Sequence, residues 1–545
     1  MNKISQIIEK IENYPTNFNS WSISLLGIIS LRILIENWLG NFSTDSISYF
    51  FFHASYNFLF FIFAYILFSI LIKLLIEKDL KKISNFLLFG YSIILLPPLI
   101  DHIISRGHGF FSFYGLYGFS ELIKRYFTFF GDNPEIGVTY GVRIEIAFSV
   151  LSIFFYSYIK TRKINKSLIT LIATYTVFFI LATFPSWITL AIKGIPSGFL
   201  SITELSIAQM FLSPAKIFNH EIGTFINALS VKMSIIYSLL APITICIGFY
   251  FFQKEKLISF LKNTRPPQLL YHGGLLTLGM GLGMLFTNPL WDINFFNILS
   301  FFVLLEAVSF AWISSSVVND IFDQKIDEIS NNQRPLVKKI IPVNEYKTIG
   351  VILFIFSIWF SLLINAKVAI LLIAYQALAW VYSAWPLRLK RFPIIATFIS
   401  SVASTLIVFS GFIVSSPKQN IENLPFSIIL LLLISYTISL SLKDIKDIKG
   451  DKNDGVFTIP VIFGEKWGKI IVGSGIFISY LLSVFFLREP RLFWWAILFG
   501  GISFWIINYS SLDETKKINH RNLPWWIMAP LIFYGSILIK IIFIQ

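Results

Sequence analysis

A single cysteine, Cys246, is present in the 545 residues, which excludes a disulfide within the chain and a thiolate metal cluster. Charge is scarce. Asp, Glu, Lys and Arg make up 14% of the chain, where a soluble domain carries about 25%. That shortage excludes a soluble enzyme, a disordered protein and a fibrous repeat. No two histidines stand four residues apart, so the zinc-protease motif is missing. The first twenty residues, MNKISQIIEKIENYPTNFNS, are polar and lack a cleavable apolar core, so no signal peptide is expected. Acidic residues are the scarcer sign, leaving a formal net charge of +14. Nucleic acid is not the expected partner, because membrane proteins collect Lys and Arg in their cytoplasmic loops.

What is present is apolar sequence. Hydrophobic residues account for 55% of the chain, enough for roughly fifteen spans at about 20 residues each. Apolar runs lie near 20–40, 50–76, 83–105, 137–159, 167–192 and 233–252. After a polar stretch broken by Arg265-Pro266-Pro267, nine more follow near 268–288, 294–318, 347–365, 368–384, 393–414, 425–442, 470–487, 491–509 and 523–543. The expected fold is an all-α polytopic membrane protein of about 15 transmembrane helices. Its expected parts are a six-helix module (1–252), a cytoplasmic linker (253–267) and a nine-helix bundle (268–545). Alternate connections are basic: 77–82, 160–166, 253–265, 325–347, 388–391, 443–469 and 516–521. This places the N-terminus and the basic loops in the cytoplasm and the C-terminus on the far side of what is expected to be the plasma membrane. The long connections 106–136 and 194–231 are amphipathic and are expected to include interfacial helices.

Most aspartates of the second half fall in two cytoplasmic segments. NDIFDQKIDEISNNQRP supplies Asn319, Asp320, Asp323, Asp327 and Arg334, and KDIKDIKGDKNDG supplies Lys443, Asp444, Asp447, Asp451 and Asp454. Each carries aspartates at 0, +3 and +7, with a constant offset of 124 residues. On a helix those positions span about 60° of one face, so each set reads as a carboxylate stripe. Aspartates at such spacing repel one another. Hard divalent cations take oxygen ligands, and magnesium commonly joins one or two carboxylates to substrate phosphates. Two facing stripes therefore read as a magnesium site for a diphosphate leaving group. YSAWPLRLKR adds Tyr382, Ser383, Arg388, Lys390 and Arg391 on the same side. Arg334 and Lys390 are the first choices for diphosphate contacts, while Arg388 and Arg391 read as anchors of topology.

NDIFDQKID with Arg334-Pro335-Leu336, YSAWPLRLK and KDIKDIKGDKNDGVFTIP resemble the three signatures of the UbiA superfamily of intramembrane prenyltransferases. The resemblance covers roughly 255–545. It implies a helical bundle with a lateral opening to lipid, in which magnesium and both aspartate motifs hold a prenyl diphosphate while a lipophilic acceptor attacks its first carbon. Carried over, Asn319, Asp320, Asp323, Asp444 and Asp447 serve magnesium and diphosphate, Asp327 and Asp451 complete the shell, and Arg334, Tyr382, Lys390 and Lys443 steady the diphosphate, with Ser383 beside them. Many members carry a Gly-Asn pair soon after the third signature's basic end, where this chain reads FPIIATFISS. The acceptor reading leans to an isoprenoid or glycerol-phosphate lipid, whose phosphate Lys338, Lys339, Lys446 and Lys449 are placed to meet. The alternatives are a quinone-type aromatic acceptor or, in another class, a transporter or channel with a cytoplasmic acidic site. Carboxylates confined to one face argue against conduction.

Residues 1–252 carry no recognised motif. Arg32 and Glu36 form an i, i+4 pair able to satisfy itself. Arg143 and Glu145, two apart, cannot pair along one face. Asp101, His102, Arg106 and His108 cluster where the third run emerges.

Overall fold

The computed structural model describes residues 2–39, 47–107, 114–132, 137–218, 220–223, 227–287, 294–392, 394–416, 420–445, 448, 452, 457–511, 516–520 and 522–543. Among them, thirteen helices are long and apolar enough to cross a membrane, and two shorter apolar helices bring the set to fifteen. In chain order these are α1 (Phe18–Leu39), α2 (Ile47–Ile76), α3 (Leu80–Ile104), α4 (Tyr140–Thr161), α5 (Ile164–Ala182), α6 (Ala228–Lys262), α7 (Pro266–Thr287), α8 (Phe295–Phe322), α9 (Val343–Ile364), α10 (Ala366–Ser383), α11 (Ile395–Ser415), α12 (Phe426–Leu442), α13 (Ile459–Phe486), α14 (Pro490–Tyr509) and α15 (Leu523–Leu538). Each lies on one of the apolar runs, and the chain is an integral membrane protein. A helix satisfies its own backbone hydrogen bonds, which is the condition for crossing hydrocarbon. The strands among the described residues are Ala215–Ile217 and His220–Gly223.

The chain divides into two compact units, Met1–Lys216 with Glu221–Lys254, and Ile217–His220 with Glu255–Gln545. The division at Lys254 falls next to Gln253, where α6 leaves helical geometry (φ −146°, ψ 67°). In the first unit, a short helix at Asn2–Glu12 ends on Glu12, which accepts from Tyr156 Oη at 2.8 Å and Lys160 Nζ at 2.6 Å. The two long connections contain the helices Phe119–Phe127 and Glu204–Leu212.

In the second unit α7 and α11 approach backbone to backbone. Gly279 and Gly283 lie one turn apart on α7 and meet Gly411 and Ser415 on α11, a small-residue seam of the kind that lets membrane helices close in. A Cβ at Gly279 would lie 2.0 Å from the Val408 carbonyl oxygen, and one at Gly411 would lie 2.1 Å from that of Leu276. Both obstacles are backbone, so only helix displacement relieves them. Gly411→Ala is accordingly expected to cost about 1–3 kcal/mol. The loss appears as a lower midpoint in tryptophan-monitored thermal unfolding. An unchanged midpoint would show that the two helices separate freely.

Side-chain caps start two of the helices whose opposite ends carry the site. Asn294 Oδ1 accepts from Asn297 N at 2.9 Å to start α8, and Asn365 Oδ1 accepts from Lys367 N at 2.8 Å to start α10. Both use the side-chain oxygen to satisfy amides that no preceding turn reaches. α8 stops at Phe322; Asp323 takes φ −106°, ψ 14°, and the chain resumes as the short helix Gln324–Ser330.

Candidate active site

That interruption decides where the first aspartate set points. Asp320, Asp323 and Asp327 do not form one face, because Asp323 occupies the break between two helices. Asp323 and Asp327 line a cavity of 1880 Å³ in the second unit, together with Asn319 and Asp444, whereas Asp320 does not. Asp320 is 2% exposed. One of its oxygens accepts from Arg265 Nη2 at 2.5 Å and Arg334 Nη1 at 2.6 Å, and the other from Asn263 Nδ2 at 2.7 Å and Tyr346 Oη at 2.9 Å. The sequence reading made Asp320 a ligand for metal and diphosphate. The structure instead sets it behind the wall with both oxygens taken, because α8 is still helical at that point and turns it toward Asn263 and Tyr346.

The other carboxylates meet cations at the cavity mouth. Asp323 Oδ1 accepts from Lys390 Nζ and lies 3.4 Å from Arg388 Nη2. Asp327 Oδ2 accepts from Arg334 Nη1, which Asp327 shares with Asp320. Burial raises Asp327 to about 7, with Asp320 and Asp323 pushing the same way, and it outweighs the opposing pull of Arg334 and Arg265. Asn319 Oδ1 accepts from Ser383 Oγ at 3.0 Å, joining the end of α10 to the first motif. Arg388 and Lys390 are 5% and 7% exposed, and Arg391 lies over the Trp385 ring at 4.3 Å.

Of the predicted residues, Asn319, Asp323, Asp327, Arg334, Tyr382, Ser383, Lys390 and Asp444 line this one cavity. Asp447, Asp451, Asp454, Lys446 and Lys449 lie outside the described residues, as does the side chain of Lys443. Arg265, Asn263 and Tyr346 carry part of the cap and were not expected there. Arg265 was legible only as part of a helix-breaking Arg-Pro-Pro string. Nothing in their spacing ties Asn263 or Tyr346 to the first motif.

Below the charged cap the walls are apolar and aromatic. His272 stacks on Trp312 at 4.6 Å between ring centres, and its ring nitrogens meet Gln268 O at 2.7 Å and Tyr375 Oη at 3.0 Å. The cavity continues past Tyr436 and Ile476 to Phe286, Phe486 and Arg488. On α13 it is lined from Ile476 to Phe486, about the last three turns of that helix.

The donor set fits a hard divalent cation. Asn319, Asp323, Asp327 and Asp444 offer oxygens only, as magnesium requires. Among the described residues the acids do not gather three at a time around one point. Among the described residues, the carboxylates of Asp320, Asp323 and Asp327 are met by Arg265, Arg334, Arg388 and Lys390.

The site is thus a cluster of acids and bases on a largely apolar cavity within a polytopic helical protein. The family model of the UbiA prenyltransferase family matches residues 271–528. The digeranylgeranylglyceryl phosphate synthase of Sulfolobus acidocaldarius is 32% identical over 189 residues, 33% of this chain and 65% of that protein. The 4-hydroxybenzoate octaprenyltransferase of Yersinia enterocolitica is 30% identical over 219 residues, 38% of this chain and 71% of that protein. The chain belongs to the UbiA prenyltransferase family. It spans just under two thirds of the length of the Sulfolobus relative. A UbiA homolog from Archaeoglobus fulgidus, solved bound to DMAPP and Mg2+, superposes with a TM-score of 0.40 at 20% identity, over 52% of this chain and 99% of that one.

Proposed function

We propose that the chain transfers a prenyl group from a prenyl diphosphate to a lipophilic acceptor within the membrane, releasing diphosphate. The observation that carries this reading is the cap itself: Asp323, Asp327 and Asp444 alternate with Arg334 and Lys390 at the mouth of a chamber whose walls suit a polyprenyl tail. Family membership and the names of the relatives support it. Residues 268–545 would be the catalytic domain.

Magnesium, held by Asn319, Asp323, Asp327 and Asp444 with Asp447 and Asp451, would neutralise the diphosphate and make it a better leaving group. Arg334 and Lys390 lie beside those carboxylates and would bind phosphate oxygens, exchanging one anionic partner for another. Negative charge grows on the diphosphate as its bond to carbon breaks, and cations already fixed in place stabilise it without reorganising. His272, Trp312 and Tyr375 form a wall that excludes water and limits hydrolysis of the cationic carbon.

The acceptor reading is a prenylated glyceryl phosphate, the chemistry named for the Sulfolobus relative. Its phosphate suits Lys338 and Lys339 in the cap-side loop. A quinone-ring acceptor is the second reading, favoured by the Yersinia relative. Purified full-length protein with one labelled prenyl diphosphate and both acceptors decides between them. Label is expected in the glyceryl phosphate, with magnesium-dependent diphosphate release. Label confined to 4-hydroxybenzoate would reverse the acceptor assignment, and no release with either would refute the transferase reading.

The basic loops support an orientation with the cap on the cytoplasmic face of the plasma membrane. In a Cys246→Ser background, cysteines placed at Lys338 and Lys516 are expected to label from one side and a cysteine at Ser120 from the other.

A further inference from the structure

The first unit contains a second cavity, of 200 Å³, whose lining includes Arg32, Glu36, His53, Asn57 and Glu145. That is a large share of ionisable and amide groups for the interior of membrane-spanning helices, where an isolated charge costs about 2.5–3.5 kcal/mol at the helix centre. They arrive from three helices, near the end of α1 and the starts of α2 and α4. Arg32 and Glu36 are 3% and 4% exposed and form an ion pair at 3.0 Å. His53 and Asn57 are also buried, with Asn57 Nδ2 3.2 Å from His53 Nε2. Each of these four groups has a polar partner.

Glu145 makes no hydrogen bond or ion pair among the described residues, although the Arg32–Glu36 pair is near enough to act on it electrostatically. Its neighbour Arg143 turns away and gives its guanidinium to the carbonyls of Gly131 at 2.5 Å, Val138 at 3.1 Å and Phe130 at 3.2 Å. Among the described residues the cavity is therefore lined by one arginine and two glutamates, and Glu145 is the carboxyl without a hydrogen-bond or ion-pair partner. The remaining walls are rich in aromatic rings, among them Tyr56, Phe60, Phe61, Tyr114 and Phe178. Ring faces attract organic cations in a desolvated site. The cavity has room for a small head group.

We propose that this cavity is a binding site for an ammonium group, with Glu145 as its counter-ion and the aromatic walls as its cage. The chemistry is shared by a free amine and by the amino head group of a lipid. Unlike the diphosphate cap in the second unit, this site selects positive charge, and it stands whether or not the transferase reading does.

Equilibrium dialysis of the full-length protein in detergent, with labelled ethanolamine and labelled tetramethylammonium, tests it. A parallel arm uses native mass spectrometry after exposure to phosphatidylethanolamine or phosphatidylglycerol. One saturable equivalent of ammonium probe is expected, weakened at least tenfold by Glu145→Gln and less than tenfold by Glu145→Asp. Retention of phosphatidylethanolamine over phosphatidylglycerol in the parent, lost in Glu145→Gln, would assign the group to a lipid; binding of the soluble probes alone would assign it to a free amine. The thermal midpoint of each variant establishes that it is folded. Absence of saturable binding for every probe would show that Glu145 is simply protonated. Equal binding by Glu145→Gln, or displacement of ethanolamine by equimolar sodium, would also overturn the proposal.

Discussion

Asp323→Asn is expected to reduce magnesium-dependent diphosphate release by about 10³-fold while the protein stays folded. Single electrostatic contacts to a developing anion are worth about 10²–10³ in rate, and this side chain enters the proposed mechanism twice. It lines the cavity as an oxygen donor for the cation, and it holds Lys390 and Arg388 in the cap. The amide keeps the size and one hydrogen-bond acceptor but loses the charge. The thermal midpoint is expected to fall, because buried Lys390 and Arg388 lose an anionic partner, so activity is compared at a temperature where the variant is folded. Release measured over a range of magnesium concentrations separates the two roles. A lost metal ligand shows as a higher magnesium requirement, and a misplaced Lys390 as a lower rate at saturating magnesium. Near-parent turnover at limiting magnesium would remove Asp323 from the site.

Much of this was legible in one dimension. A membrane span is a length of apolar sequence, so all fifteen helices could be located without tertiary information, and Asn319, Asp323, Lys390 and Asp444 could be found because a short motif places chemistry at fixed spacing. The geometry within the motif was not legible. The aspartate spacing suggests a continuous helix face, but α8 ends at Phe322 and leaves Asp323 with non-helical dihedrals, and Asp320 stands outside the cavity lining that Asp323 and Asp327 share. Partners from distant sequence were equally hidden. Arg265 and Tyr346 reach Asp320 across 55 and 26 residues, and only packing of the bundle brings them there. Arg388, read as an anchor of topology, is instead buried against Asp323.

Asp320→Ala is expected to be the most destabilising single change in the cap, by about 3–5 kcal/mol, the usual cost of removing one partner from a buried ion pair. Its carboxylate is the common acceptor for Arg265, Arg334, Asn263 and Tyr346. Without it two guanidiniums and two polar groups lose a buried partner at once. Asp320→Asn keeps the acceptor oxygen and the volume, so it is expected to recover part of the lost thermal midpoint. Its activity should fall less than that of Asp323→Asn, because Asp320 stands outside the cavity and acts by positioning Arg265 and Arg334. The two roles separate in kinetics. A positioning defect weakens diphosphate binding and raises KM more than it lowers kcat, with an unaltered magnesium requirement. If Asp320→Asn kept the parent midpoint but required more magnesium and lost as much activity as Asp323→Asn, Asp320 would be a metal ligand after all.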